Sequence, residues 1–197
     1  MIVLFGLAGS GKGTQGKALS ELFGWRTLSV GQVIRDSGKY TNTINHGNLI
    51  PDDDVIALMN AQIERIEAEG FNIILDGYPR DEYQAKWIMD NMAEKIEGGI
   101  ILEVPKEELY ERLSLRGRDD DLDKESIDRR FEIFDENISK ILPLFAEKGI
   151  EIRRVNGVGA VEEVTDRLVE VVQELVPSAS IQENDVNGDE IERSYGE

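Results

Sequence analysis

Lys12 stands in a setting that suits phosphate. The run Gly6-Leu7-Ala8-Gly9-Ser10-Gly11-Lys12-Gly13-Thr14-Gln15 follows the apolar Ile2-Val3-Leu4-Phe5, and Lys17-Ala18-Leu19-Ser20-Glu21-Leu22-Phe23 reads as the helix after it. Glycines let the backbone curl until successive N–H groups face one cavity, and the new helix adds its positive end. An ammonium there is a point charge within reach of the outer phosphates of a nucleotide. One residue departs from the plain phosphate-loop pattern: Gly13 stands where Ser or Thr normally follows the lysine, and the hydroxyl comes next, at Thr14. Further along, Arg35, Arg80, Arg116, Arg118 and the pair Arg129-Arg130 offer planar forks that bind phosphate oxygens bidentately and stay charged. Together with Lys12 they can neutralise two phosphate groups meeting in one place, which is the chemistry of phosphoryl transfer. Arg153 and Arg154 read instead as surface charges balancing nearby acids.

Those residues need elements to hold them. Arg26–Val30, Asn72–Asp76, Gly99–Val104 and Glu151–Val155 read as strands following Ile2–Phe5. Val55, Leu58, Met59, Ile63 and Ile66 keep helical spacing, as do Val161, Val164, Leu168, Val171, Val172 and Leu175. Asp52-Asp53-Asp54 puts acids where a helix start prefers them. Strands alternating with helices predict an α/β fold, a parallel sheet with helices on both faces. Ligands of such sheets collect beyond the carboxyl ends of the strands, and most of the arginines follow strands.

At 197 residues the chain suits one domain, expected over 1–176. Residues 177–197 carry six acids, one base and little apolar periodicity, and are expected to form a disordered tail. Within it Asp185, Asn187 and Asp189 imitate the start of a calcium loop, but Glu190 and Gly196 occupy the positions that need glycine and glutamate. A net charge of −18, from 22 basic and 40 acidic residues, repels nucleic acid. No run reaches the roughly 20 apolar residues of a membrane span, Met1–Phe5 has no basic leader, and there is no cysteine. The expectation is a cytoplasmic monomer whose partners are small-molecule nucleotides, with no nucleic acid and no membrane.

The phosphate loop, the LSxGxxxR segment at Leu28–Arg35, GNLIPDDDV at Gly47–Val55, LDGYPRDEYQA at Leu75–Ala85 and RGRxDD at Arg116–Asp121 occur in the order found in adenylate kinases, which the chain resembles over 1–176. The resemblance implies a three-layer fold with a five-stranded parallel sheet, a nucleoside monophosphate clamp at about 30–59 and a minimal lid at about 116–122. It implies reversible transfer from MgATP to AMP, giving two ADP and serving adenine nucleotide homeostasis, with magnesium as cofactor and no Cys-ligated zinc. Gly9, Ser10, Gly11, Lys12, Gly13 and Thr14 would cradle the ATP phosphates, with Arg116 and Gly159 at its base. Arg35 and Arg80 would hold the AMP phosphate, while Arg118 and Arg130 would span the transferring group, with Lys12, Arg80, Arg118 and Arg130 catalytic. Val30, Asn48, Leu49, Ile50, Gly77, Tyr78, Pro79 and Gln84 would line AMP. Asp76 would orient magnesium through water, with Thr14 as a second candidate.

Three departures stand against the resemblance. Val30 replaces the usual threonine and Gln32 the usual aspartate, and the interval from Arg118 to Arg130 is one residue longer than usual. The following Phe131 favours Arg130, with Arg129 as the alternative. Val30 leans toward a UMP or CMP kinase on the same scaffold. Gln84 leans toward AMP, because its amide donates and accepts together, as an adenine edge requires. A non-catalytic nucleotide sensor is the rival from another class, and the intact Lys12, Asp76 and arginines oppose it. His46, the single histidine, reads as a loop residue.

Overall fold

Strands too apolar to face water on either side require cover on both. The computed structural model describes residues 1–40, 50–117 and 123–182. Its five strands, β1 (Ile2–Phe5), β2 (Arg26–Ser29), β3 (Ile73–Asp76), β4 (Gly98–Glu103) and β5 (Ile152–Asn156), form one parallel sheet in the order β2-β3-β1-β4-β5. The described helices are α1 (Lys12–Phe23), α2 (Val30–Asp36), α3 (Asp52–Ala68), α4 (Glu82–Asn91), α5 (Lys106–Arg116), α6 (Lys124–Glu147) and α7 (Val161–Leu175). The expected α/β three-layer fold is present.

Alternation along β1 divides the core. Val3 and Phe5 face one side, where Met59 and Ile63 of α3, Ile88 of α4 and Phe145 of α6 cover them. Phe5 meets Phe145 edge to face, centroids 5.6 Å apart. Ile2 and Leu4 face the other side, against Leu19 and Phe23 of α1 and Leu168 and Val172 of α7. Each such buried side chain stabilises the fold by about 1.5–3 kcal/mol. A third cluster joins Leu109 and Leu113 of α5 to Ile127 and Phe131 of α6, and Leu7 and Ala8 pack against it. It seats the loop after β1.

Two expectations need correcting. Val30 does not end a strand but begins α2. The β2–β3 ladder stops at the pair Ser29–Asp76, and Gly77 turns away with φ +70°, so Val30 has no strand left to pair with. The tail, expected to be disordered from 177, is packed as far as 182. Ala179 lies against the α1–α7 cluster, and the Gln182 N–H donates to Leu22 O at 2.7 Å. The remainder, 183–197, is outside the described residues. Residues 183–197 hold all six acids of the tail and little apolar periodicity, so truncation after Gln182 should leave melting temperature and turnover unchanged. Truncation after Pro177 should cost about 1–2 kcal/mol, a few degrees of Tm, through the lost apolar contact and hydrogen bond. Equal melting temperatures for the two chains would show that 178–182 contribute nothing.

Candidate functional site

The loop after β1 is bent tightly onto its neighbours. A methyl group on Gly6 would lie 2.8 Å from Leu102 O and 2.7 Å from Ser10 Oγ, and Gly11 opens α1 with φ +98°, so both positions need glycine. The Ser10 N–H closes the turn onto Leu7 O, and its hydroxyl is buried without a partner among the described residues. The Ser10 side chain thus packs inside the loop. The first helical bond runs from the Gln15 N–H to Gly11 O at 2.9 Å. The N–H groups of Lys12, Gly13 and Thr14 precede it, in the first turn whose donors a helix leaves unmatched.

Lys12 folds back across its own loop, its Nζ donating to Gly6 O at 2.7 Å and Leu7 O at 3.0 Å. Desolvation lowers its pKa to about 8, Asp76 opposing and the guanidinium charges of Arg80 and Arg116 adding to the fall. Four residues named from three separate stretches of sequence therefore share one electrostatic neighbourhood. The folded-state pKa lies below the free value of 10.5, so the charged lysine costs stability below pH 8, and the cost is relieved as pH rises from 8 to 10.5. Bound phosphate favours the charged form and shifts the balance back. Calorimetry in buffers of different ionisation enthalpy should show ATP binding taking up close to one proton at pH 9 and close to none at pH 7. Equal uptake at both would remove Lys12 from the phosphate site.

Asp76 ends β3 beneath this lysine, buried, with its Oδ2 3.9 Å from where a methyl on Gly13 would sit. A single buried carboxylate facing the loop fits magnesium, which keeps most of its waters and takes few protein ligands. No group of three or more His, Cys, Asp or Glu able to hold a metal occurs among the described residues. Beside Asp76, a methyl on Gly77 would lie 3.8 Å from Lys12 Cε and 3.7 Å from Val30 Cγ1.

Arg35 and Arg80, expected to share one phosphate, converge over Gly31. A methyl there would meet Arg35 Nη1 at 3.3 Å and Arg80 Nη2 at 3.4 Å. Gln32 steadies the first, its Oε1 accepting from Arg35 Nη2 at 2.8 Å, and Gly77 O accepts from Arg80 Nε at 3.3 Å. Gly31 was not singled out from sequence, although it is the glycine of the LSxGxxxR segment. Val30 and Tyr78 are fully buried and belong to the core cluster. Pro79 is buried and Ile50 half-buried. Gln84 is 3% exposed and doubly held, its Oε1 accepting from the Arg80 N–H at 2.9 Å and its Nε2 donating to Asp52 Oδ1 at 2.8 Å.

Arg116 ends α5, one turn after Arg112, a residue that sequence reasoning missed. Arg112 Nη1 donates to Ser10 O at 3.4 Å and Nη2 to Gly157 O at 3.0 Å, tying the phosphate loop to the segment that carries Gly159. Its spacing of four residues from Arg116 on one helix was the available signal. On α6, Arg130 is half-buried between the core-facing Ile127 and Phe131, whereas Arg129 is exposed. Asn48, Leu49 and Arg118 lie outside the described residues, as do His46 and most of the expected lid.

A family model described as Adenylate kinase matches residues 4–150. Among curated relatives, the adenylate kinase of Flavobacterium psychrophilum is 33% identical over 190 residues, covering 88% of this chain and 98% of its own. That of Synechococcus sp. is 34% identical over 179 residues, with 85% and 95% covered. That of Thermus thermophilus is 31% identical over 182 residues, with 85% and 94% covered.

Proposed function

This chain belongs to the adenylate kinase family, and from that premise we propose that it is an ATP:AMP phosphotransferase with a donor side and an acceptor side. The enzyme moves the terminal phosphoryl group of MgATP onto AMP, reversibly, giving two ADP. What carries the reading is the convergence of Lys12, Asp76, Arg80 and Arg116 beside a glycine loop, with Arg35 and Arg80 meeting over Gly31. A phosphate acceptor is already a nucleophile and the transition state is loose, so positioning and charge neutralisation supply the catalysis.

The N–H groups of Gly11 to Thr14 hold the ATP phosphates, and Lys12 leaves Gly6 O and Leu7 O to meet them. Arg35 and Arg80 seat the AMP phosphate. Arg118 and Arg130 bracket the transferring group, Arg130 being supported over Arg129 by its half-buried place. Arg116 and Gly159 flank the donor base, with Arg112 linking that flank to the loop. Asp76 would hold magnesium through water, with Thr14 as a second candidate, and the ion would supply positive charge beside the phosphate oxygens. Gln84 reads the acceptor base. A chain without cysteine suits the cytoplasm, and no described helix is long and apolar enough to cross a membrane.

An acceptor panel tests the assignment. With MgATP, kcat/KM should be highest for AMP, ahead of CMP, UMP, GMP and dTMP by about tenfold or more, the scale of an unmatched hydrogen bond at a buried edge. A preference for CMP or UMP would make Val30, not Gln84, the better guide to the substrate.

A further inference from the structure

The Gln84 side chain is held by two partners of opposite kind. On one side is the Arg80 backbone N–H, which can only donate. On the other is the Asp52 carboxylate, which accepts from Nε2 at 2.8 Å. An amide turned end for end would set NH2 against N–H and oxygen against carboxylate. The pair therefore permits one orientation. Each amide carries two donors and two acceptor lone pairs, and these partners use one of each. One N–H and one lone pair remain for a ligand.

Asp52 is itself fixed. It opens α3 beside Asp53, which accepts from Tyr83 Oη at 2.9 Å, and Asp54, which accepts from Tyr40 Oη at 2.6 Å. Three consecutive carboxylates thus bind three different side chains and pin the start of α3. Asp81, the cap of α4, accepts from the Gln84 N–H at 2.8 Å and lies in hydrogen-bond contact with Asp52. Burial and the hydrogen bond to Asp52 push the Asp81 carboxyl up to about 6.

We propose that Asp52 is a positioning residue that locks the Gln84 amide so that the acceptor site reads a 6-amino purine and rejects its 6-oxo counterpart. This rests on the assignment of Gln84 to the acceptor base. Adenine presents an acceptor at N1 and a donor at its 6-amino group, which match the spare N–H and the spare lone pair. Hypoxanthine has the same shape and the reverse pattern, a donor at N1 and an acceptor at O6. An unlocked amide turns over to suit it, whereas a locked one cannot.

The test is the ratio of kcat/KM for AMP to that for IMP, measured with MgATP. Both substrates report on the same folded molecules, so partial unfolding cancels. Asp52→Ala should lower the ratio about tenfold, chiefly through better use of IMP, because one of two orienting bonds is lost. Asp52→Ser keeps a residue that suits a helix start, and its hydroxyl can donate as well as accept. It should lower the ratio severalfold, and it serves if the alanine chain does not fold. Gln84→Ala, run alongside, should lower the ratio by about tenfold or more. If Gln84→Ala lowers the ratio while both Asp52 variants keep it within twofold, the lock is overturned and the role of Gln84 stands. If Gln84→Ala leaves the ratio unchanged, the assignment of Gln84 to the base falls, and the lock with it.

Discussion

Lys12→Met should slow ADP formation by about a hundredfold or more without lowering the melting temperature. The rate loss is the scale expected when one preorganised charge is withdrawn from a transferring phosphoryl oxygen. Stability moves differently because the ammonium is not comfortable where it stands. Its pKa falls to about 8, so keeping it charged at neutral pH costs the fold about 3 kcal/mol. Methionine fills the same volume without that cost, and what it forfeits are the two bonds to Gly6 O and Leu7 O. Turnover in a coupled ADP assay and a thermal melt on the same sample read the two effects. Near-parental turnover would contradict the role given to Lys12. A melt lowered by many degrees would show that the lysine bridges its loop for structure first.

Arg80→Ala should lower kcat/KM for AMP by about a hundredfold or more, since a charge-assisted bidentate contact that tightens during transfer is lost. The backbone N–H that holds Gln84 survives the change, as does Arg35 over Gly31. Binding of a fluorescent ATP analogue should stay within about twofold, because the donor's phosphates rest on the loop and Lys12. Unchanged AMP kinetics would leave Arg80 a local structural role, of which its bond to Gly77 O is one part. A matching loss of ATP affinity would place the guanidinium on the donor phosphates instead.

What the sequence made legible was what lies close together in it. The loop at Gly6–Gln15 carries its strand, its glycines and its lysine within a few residues, so composition and order were enough. Arg35, Arg80 and Arg116 could be named because most of a parallel sheet's working residues follow its strands. Contacts across the chain were not legible. Arg112 reaches Ser10 from 102 positions away, and Gln84 reaches Asp52 from 32. Gly31 matters through two guanidiniums arriving from different elements, which no local pattern records. Val30 misled for a related reason: a strand ends where its partner ends, and the partner's turn at Gly77 is 47 residues on.

The strand order β2-β3-β1-β4-β5 works as a seating plan. The lysine loop issues from the middle seat. Arg35, Arg80 and Gln84 follow the strands on one flank, while Arg112, Arg116 and Gly159 follow those on the other. On the proposed assignment the two guests sit on opposite flanks, and the phosphoryl group crosses between them at the centre. Taste for one guest can consequently be rewritten without retraining the host for the other. Libraries confined to residues after β2 and β3 should yield changed acceptors with the donor untouched, and libraries after β4 and β5 the converse.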